Sequence, residues 1–167
     1  MKLFCPKEQA PETRASVDPD SVKKLSGLGI EVIIETGIGL ASDHDDAAYE
    51  EAGATVAPDA EAALSQADIV FRVNSPDPSE VAKQKKGSMH VSFLNPFAGK
   101  DLLKAFADAG VNAVSMEMMP RTTLAQKMDA ISSQANLAGY YAVIRAAERQ
   151  NRIYPMMMTP AGTISPA

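Results

Sequence analysis

Tryptophan is absent from this chain of 167 residues, cysteine occurs once and histidine twice. A single cysteine excludes an intrachain disulfide. Neither His44 nor His90 has a second histidine or cysteine at ligand spacing, so no metal site is expected. Cys5 ends the run Lys2-Leu3-Phe4-Cys5 and reads as a small buried hydrophobe in a strand, not a redox centre. His44 lies among carboxylates at a helix start and His90 in a strand of alternating pattern; both read as surface or satisfied structural histidines. No Gly-x-Ser-x-Gly elbow pairs a serine with a base, which removes nucleophilic catalysis. The net charge is -5 and no basic stretch is longer than Lys83-Gln84-Lys85-Lys86, so nucleic acid is not an expected partner. No window approaches the ~20 apolar residues of a membrane span, so any membrane relationship is expected to run through a partner. Without a charged n-region and apolar run at its start, the chain is expected in the cytoplasm.

What is present is ordinary for a folded chain: 46% hydrophobic and 22% charged residues. Short β-rich runs alternate with helix-period segments over the first 116 residues, the pattern of βαβ units and a parallel sheet. Strands are expected at Met1–Cys5, Glu31–Glu35, Thr55–Ala57, Asp68–Val73, Met89–Phe93 and Asn112–Met116. Asp18-Pro19 supplies an N-cap and first-turn proline for a helix whose apolar face is Val22, Leu25 and Leu28, ending at Gly29. Asp43 or Ser42 is expected to cap an acidic-fronted helix to Ala52, and further helices are expected over Asp59–Ser65, Ser79–Lys85 and Lys100–Ala109. Pro120–Asp129 reads as a polar loop and Ala130 to about Gln150 as one long helix. On it Ala135, Ala138, Gly139 and Ala142 leave one side nearly free of bulk, which suggests close approach by another backbone or a ligand. The remainder reads as a weakly structured tail.

Gly37-Ile38-Gly39-Leu40-Ala41-Ser42 follows a strand and precedes a helix, as a dinucleotide fingerprint does. Ser42 stands where the third glycine or alanine belongs, and the unit is on the second strand, so it reads as a glycine-permitted turn. The remaining polar cluster is Arg121, Gln126, Asp129 and Ser132, on a loop after a strand end and entering the long helix. Ligands in open α/β sheets bind beyond the carboxyl ends of strands, which favours such a loop. Residue type alone equally allows Asp129 or Ser132 as a helix cap and Arg121 as a solvated charge.

The run from Pro120-Arg-Thr-Thr-Leu-Ala-Gln-Lys-Met-Asp-Ala-Ile-Ser-Ser-Gln-Ala-Asn-Leu-Ala-Gly to Tyr140 closely resembles the NAD(P) transhydrogenase alpha subunit family, and more distantly alanine dehydrogenase. Pro6-Lys7-Glu8, Glu35-Thr36-Gly37-Ile38-Gly39, Asp45-Asp46-Ala47 and Met156-Met157-Met158-Thr159-Pro160-Ala161-Gly162-Thr163 extend the likeness along the chain. It implies an α/β fold, flavodoxin-like or Rossmann-like, with a three-layer parallel sheet over 1–125, then a long linker helix and tail over 126–167 leading toward a nucleotide-binding domain. It also implies that Arg121 and Asp129 hold the nicotinamide carboxamide of NAD(H), that Ser132 assists, and that Gln126, the one residue placed at the reaction itself, reaches toward NADP(H) on a partner domain. Hydride passes directly between two nicotinamides, so a site without catalytic His or Cys suits the chemistry. Implied partners are the membrane-spanning and NADP(H)-binding subunits that translocate protons and a second copy of the chain, at the cytoplasmic face of the inner (plasma) membrane. The family's Gly-rich nucleotide seat is not in this sequence, so the chain alone is expected to be inactive. Two alternatives stand beside this: an alanine dehydrogenase-like oxidoreductase, disfavoured because a lysine expected at Arg72 and a histidine expected near Asn95 are absent, and a non-catalytic dimerisation or assembly module.

Overall fold

The structure is a computed structural model that describes residues 1–151 and 153–166; the last residue of the expected tail, Ala167, lies outside them. The chain divides into two compact units, Met1–Met119 and Pro120–Ala167.

The first unit carries a parallel sheet built from β1 (Lys2–Cys5), β2 (Glu31–Ile34), β3 (Thr55–Val56), β4 (Ile69–Phe71), β5 (Met89–Ser92) and β6 (Asn112–Ser115). Its order is β3-β2-β1-β4-β5-β6. Of the two doubly wound orders expected, this is the Rossmann one, and it reverses direction between β1 and β4. Alternation along β1 sorts the layers. Leu3 and Cys5 pack with Val32 and Ile34 under α1 (Pro19–Gly27) and α2 (Asp46–Glu51). Phe4 points the other way, onto Val70 and α3 (Ala60–Gln66). Val70 and His90 are in register, and His90 meets Phe106 at 5.2 Å, so α5 (Lys100–Ala109) covers that second face as well. Phe106 is 2% exposed; removing such a side chain from water contributes about 2–3 kcal/mol. Leu3 is in register with Ile69, Ile69 with Met89 and Met89 with Asn112, which puts Met89, Val91 and Val114 on the first face, beyond α1 and α2. Met89 is 41% exposed there and Val91 and Val114 are half-buried, so that half-face is incompletely covered within this unit.

Two local expectations are corrected. Leu28 is 77% exposed: it is the C-cap of α1, turned off the helix face that Val22 and Leu25 supply. The cap of α2 is Asp45, whose side chain accepts from the Ala48 N–H. Ser42 ends a single 3-10 turn (Leu40–Ser42) and Asp43 is left-handed (φ 60°), so neither can start the helix. Asp18 caps α1 as expected, accepting from the Ser21 N–H.

In the second unit a 3-10 turn (Ala125–Met128) precedes α6 (Ala130–Arg149), so the polar loop is partly helical, and Ala125 is buried. No residue of α6 is buried, and a Cβ on Gly139 would meet no heavy atom within 4 Å. Within the second unit, no described residue makes the close approach expected there. The tail is more ordered than expected: Met157–Thr159 (β7) and Gly162–Ile164 (β8) form an antiparallel hairpin, with Gly162 at φ 129° and Thr159 Oγ1 donating to its carbonyl. No described helix is long and apolar enough to cross a membrane, and no described group of three or more His, Cys, Asp or Glu could hold a metal ion.

Candidate functional site

The reversal between β1 and β4 opens a crevice of about 630 Å³ between the loops that follow these strands. Glu8 reaches across it. Its carboxylate accepts from the N–H of Val73 and, at 3.4 Å, of Asn74, and lies 3.9 Å from Arg72 Nη2. Arg72 Nη1 donates to Glu80 at 2.7 Å, and Glu80 closes the capping box of α4 (Pro78–Val81) by accepting from the Asp77 N–H. The side chains of Glu8 and Arg72 are 3% and 8% exposed, and Arg72 Nε has no hydrogen-bond partner among the described residues. The protein's own carboxylate thus takes the strand-end N–H groups that would otherwise face a ligand. Nearby, Glu12 binds Arg14 through both oxygens, and these hydrogen bonds hold its carboxyl down to about 2.

The Gly37–Gly39 turn is tied to the chain's own carboxylate. The Gly37 N–H donates to Asp46 Oδ1, and Thr36 Oγ1 to Asp46 Oδ2; with the Thr36 bond dominant, the pair holds Asp46 below the usual carboxylate range. The turn is structural, as its spacing suggests.

At the carboxyl ends of β5 and β6, Glu117 accepts from the N–H groups of Leu94 (3.1 Å) and Asn95 (2.8 Å) and from Ser115 Oγ. Burial pushes its carboxyl up, but these bonds together outweigh it and hold the group below its ordinary value. Asn95 is left-handed at φ 46°, so the clamp secures an unusual turn.

Within the second unit Asp129 and Ser132 are brought together. Asp129 Oδ1 accepts from the Ser132 N–H at 2.9 Å and Oδ2 from Ser132 Oγ at 2.6 Å, capping α6. Asp129 is held below its usual range, chiefly by Ser132, and the positive charge of Arg121 adds to the effect. Gln126 sits in the 3-10 turn; its N–H donates to Thr122 and its carbonyl accepts from Asp129, while its side chain is exposed. Arg121 is exposed too. Asp129 is thus at once a helix cap and a carboxylate within the field of a guanidinium.

The family described as "Alanine dehydrogenase/PNT, N-terminal domain" matches residues 4–138. The chain belongs to that family. In the alanine dehydrogenase/PNT N-terminal domain family its relatives include an NAD(P) transhydrogenase alpha subunit of Rhodospirillum rubrum, 46% identical over 173 residues, covering all of this chain and 45% of that protein. Among solved structures, a transhydrogenase from Sinorhizobium meliloti is 43% identical with a TM-score of 0.91, over all of this chain and 50% of that one. The alanine dehydrogenase of Bacillus subtilis is 35% identical over 118 residues, 70% of this chain and 31% of that protein. The chain spans about half the length of the transhydrogenase relatives it matches. The family's likeness covers both the Glu8–Arg72–Glu80 crevice and the Arg121–Ser132 segment.

Sequence reading missed the roles of Glu8, Glu80 and Glu117. Each is one acidic residue among twenty-one; the backbone N–H groups that Glu8 and Glu117 bind lie 22 to 66 positions away, and Glu80 binds Arg72 just past a strand whose place in the sheet order is unknown beforehand. Only Asp77-x-x-Glu80 ahead of Val81 carried a local signal, that of a capping box.

Proposed function

We propose that this chain is the nicotinamide-facing part of a proton-translocating NAD(P) transhydrogenase, an enzyme moving hydride from NADH to NADP+. The observation that carries the reading is the Asp129–Ser132 cap at the head of an exposed helix, with the positive charge of Arg121 acting on the Asp129 carboxylate. A carboxamide presents an NH2 donor and a carbonyl acceptor. Asp129 offers the acceptor and Arg121 the donor, so the two side chains fit that group. Ser132 fixes the carboxylate through its hydroxyl, and the exposed Gln126 is free to face the second nucleotide. NAD(H) supplies the hydride; the chain's own residues position its ring and need no general acid or base. The names of the relatives support this reading.

On this reading, residues 126–167 form a linker helix and tail that lead to a Gly-rich nucleotide domain, and the 167 residues alone bind NADH poorly. NADP(H) sits on a partner domain, and membrane-spanning subunits hold the chain at the cytoplasmic face of the membrane. The apolar side chains exposed on α6, among them Leu137, Tyr140, Tyr141 and Ile144, support a homodimer. Amino-acid oxidation of the alanine dehydrogenase type is disfavoured because Arg72 is already tied to Glu8 and Glu80.

Titration of NADH into the full-length gene product tests the reading. Arg121→Ala and Asp129→Asn are each expected to weaken binding about tenfold or more, the loss of one charge-assisted hydrogen bond. Unchanged affinity in both variants sinks it. Tight stoichiometric binding by the 167-residue chain would show that the nucleotide seat is not elsewhere.

A further inference from the structure

We propose that Glu117 is a positioning residue for the Arg121–Ser132 segment, fixing the point at which the chain leaves the sheet. The proposal rests on the nicotinamide reading of that segment.

Glu117 lies in the 3-10 turn Met116–Met118 that directly follows β6, four positions ahead of Arg121. Its half-buried carboxylate gathers three donors, two of them consecutive backbone N–H groups from the turn after β5. That turn is held by its own bonds, with the N–H groups of Ala98 and Gly99 both donating to the Asn95 carbonyl. The carboxylate therefore joins the ends of two neighbouring strands at the last residues before the chain passes into its second unit. A sheet end is the rigid part of this architecture and a loop the adaptable part, so a clamp on the last turn of the sheet fixes where the chain leaves it. Glu117 touches no reacting atom in this account; it acts through the backbone it anchors.

The experiment uses the full-length gene product with Glu117→Gln and Glu117→Ala, and Asp129→Asn as reference. Each is titrated with NADH and with 5′-AMP, which has the adenosine half of the cofactor and no nicotinamide. Positioning predicts that Glu117→Ala weakens NADH about tenfold while 5′-AMP stays within about twofold, with Glu117→Gln between because one acceptor oxygen survives. Amide hydrogen exchange at Leu94 and Asn95 should accelerate in both Glu117 variants. An equal loss for NADH and 5′-AMP marks a general structural role and overturns the proposal. So does faster exchange at Leu94 and Asn95 with NADH affinity unchanged. If Arg121→Ala and Asp129→Asn both bind NADH normally, the underlying reading has failed; if Asp129→Asn weakens NADH and Glu117→Ala does not, only the Glu117 inference has.

Discussion

The ring of Tyr49 stands where a side chain on residue 39 would have to go: a Cβ built on Gly39 would lie 2.6 Å from Tyr49 Cε2 and 2.9 Å from the His44 carbonyl oxygen. Tyr49 cannot swing away, since it is fully buried and its hydroxyl donates to the Val17 carbonyl at 2.9 Å. Gly39→Ala is therefore expected to lower stability by about 1–3 kcal/mol, the usual cost of overpacking, as read by urea unfolding. Because this glycine serves packing and not phosphate binding, the variant that still folds should bind NADH in the full-length protein as the wild type does. A selective loss of nucleotide affinity at unchanged stability would restore the fingerprint reading.

Glu8 and Arg72 form a second test. Both side chains are buried, and Glu8 also satisfies the Val73 N–H, so Glu8→Ala leaves a buried guanidinium short of a partner and a strand-end N–H bare. Removing one member of such a pair costs about 3–5 kcal/mol. Replacing both residues with apolar ones should cost less than the two single changes combined, as a double-mutant cycle of unfolding free energies would reveal. Additive losses would mean that the 3.9 Å pair carries no coupling.

His90 is fully buried, with Gln84 at 3.1 Å from Nδ1 and Ser92 Oγ at 3.2 Å from Nε2. Burial, assisted by the charge of Arg72, pushes its pKa from 6.5 down to about 3. The folded state then binds fewer protons than the unfolded state between these values. The neutral ring's contribution is complete above pH 6.5 and is lost as pH falls toward 3, by roughly 2 kcal/mol between pH 7 and 5. Denaturation curves at the two pH values should show that loss, above the range where the depressed carboxylates titrate. A flat response from pH 7 to 5 would contradict a neutral buried ring.

Cys5 offers a simpler reading of order in β1. Burial pushes its thiol up to about 12. At pH 8 it should be inert to 5,5′-dithiobis(2-nitrobenzoate) and react only when denaturant opens the core. Fast reaction in buffer would mean that β1 is not in the sheet centre.

The alternation of strands and helices was legible because each element carries its own signal. Asp18-Pro19 marks the start of α1, Asp59 the start of α3, and Leu3-Phe4-Cys5 the alternation of a central strand. Asp45 was missed as a cap because four candidates stand in the run Ser42-Asp43-His44-Asp45-Asp46, and only the left-handed turn at Asp43 decides among them. Strand order was not legible, so neither was the crevice between β1 and β4. In the candidate site, Asp129 and Ser132 are three apart and their bond follows from helix-cap geometry. The place of Gln126 in a 3-10 turn does not, since Pro120–Asp129 has no apolar period to read.

The naked helix α6 has a calorimetric consequence. At 20 residues it is a rod of about 30 Å, with every side chain already wet or half-wet, so melting it hydrates little new hydrocarbon. Heated at a dilution where it is monomeric, the 167-residue chain should give an early endotherm with almost no step in baseline heat capacity, ahead of the sheet's own transition. A companion surface pressed against the rod would merge the two peaks into one.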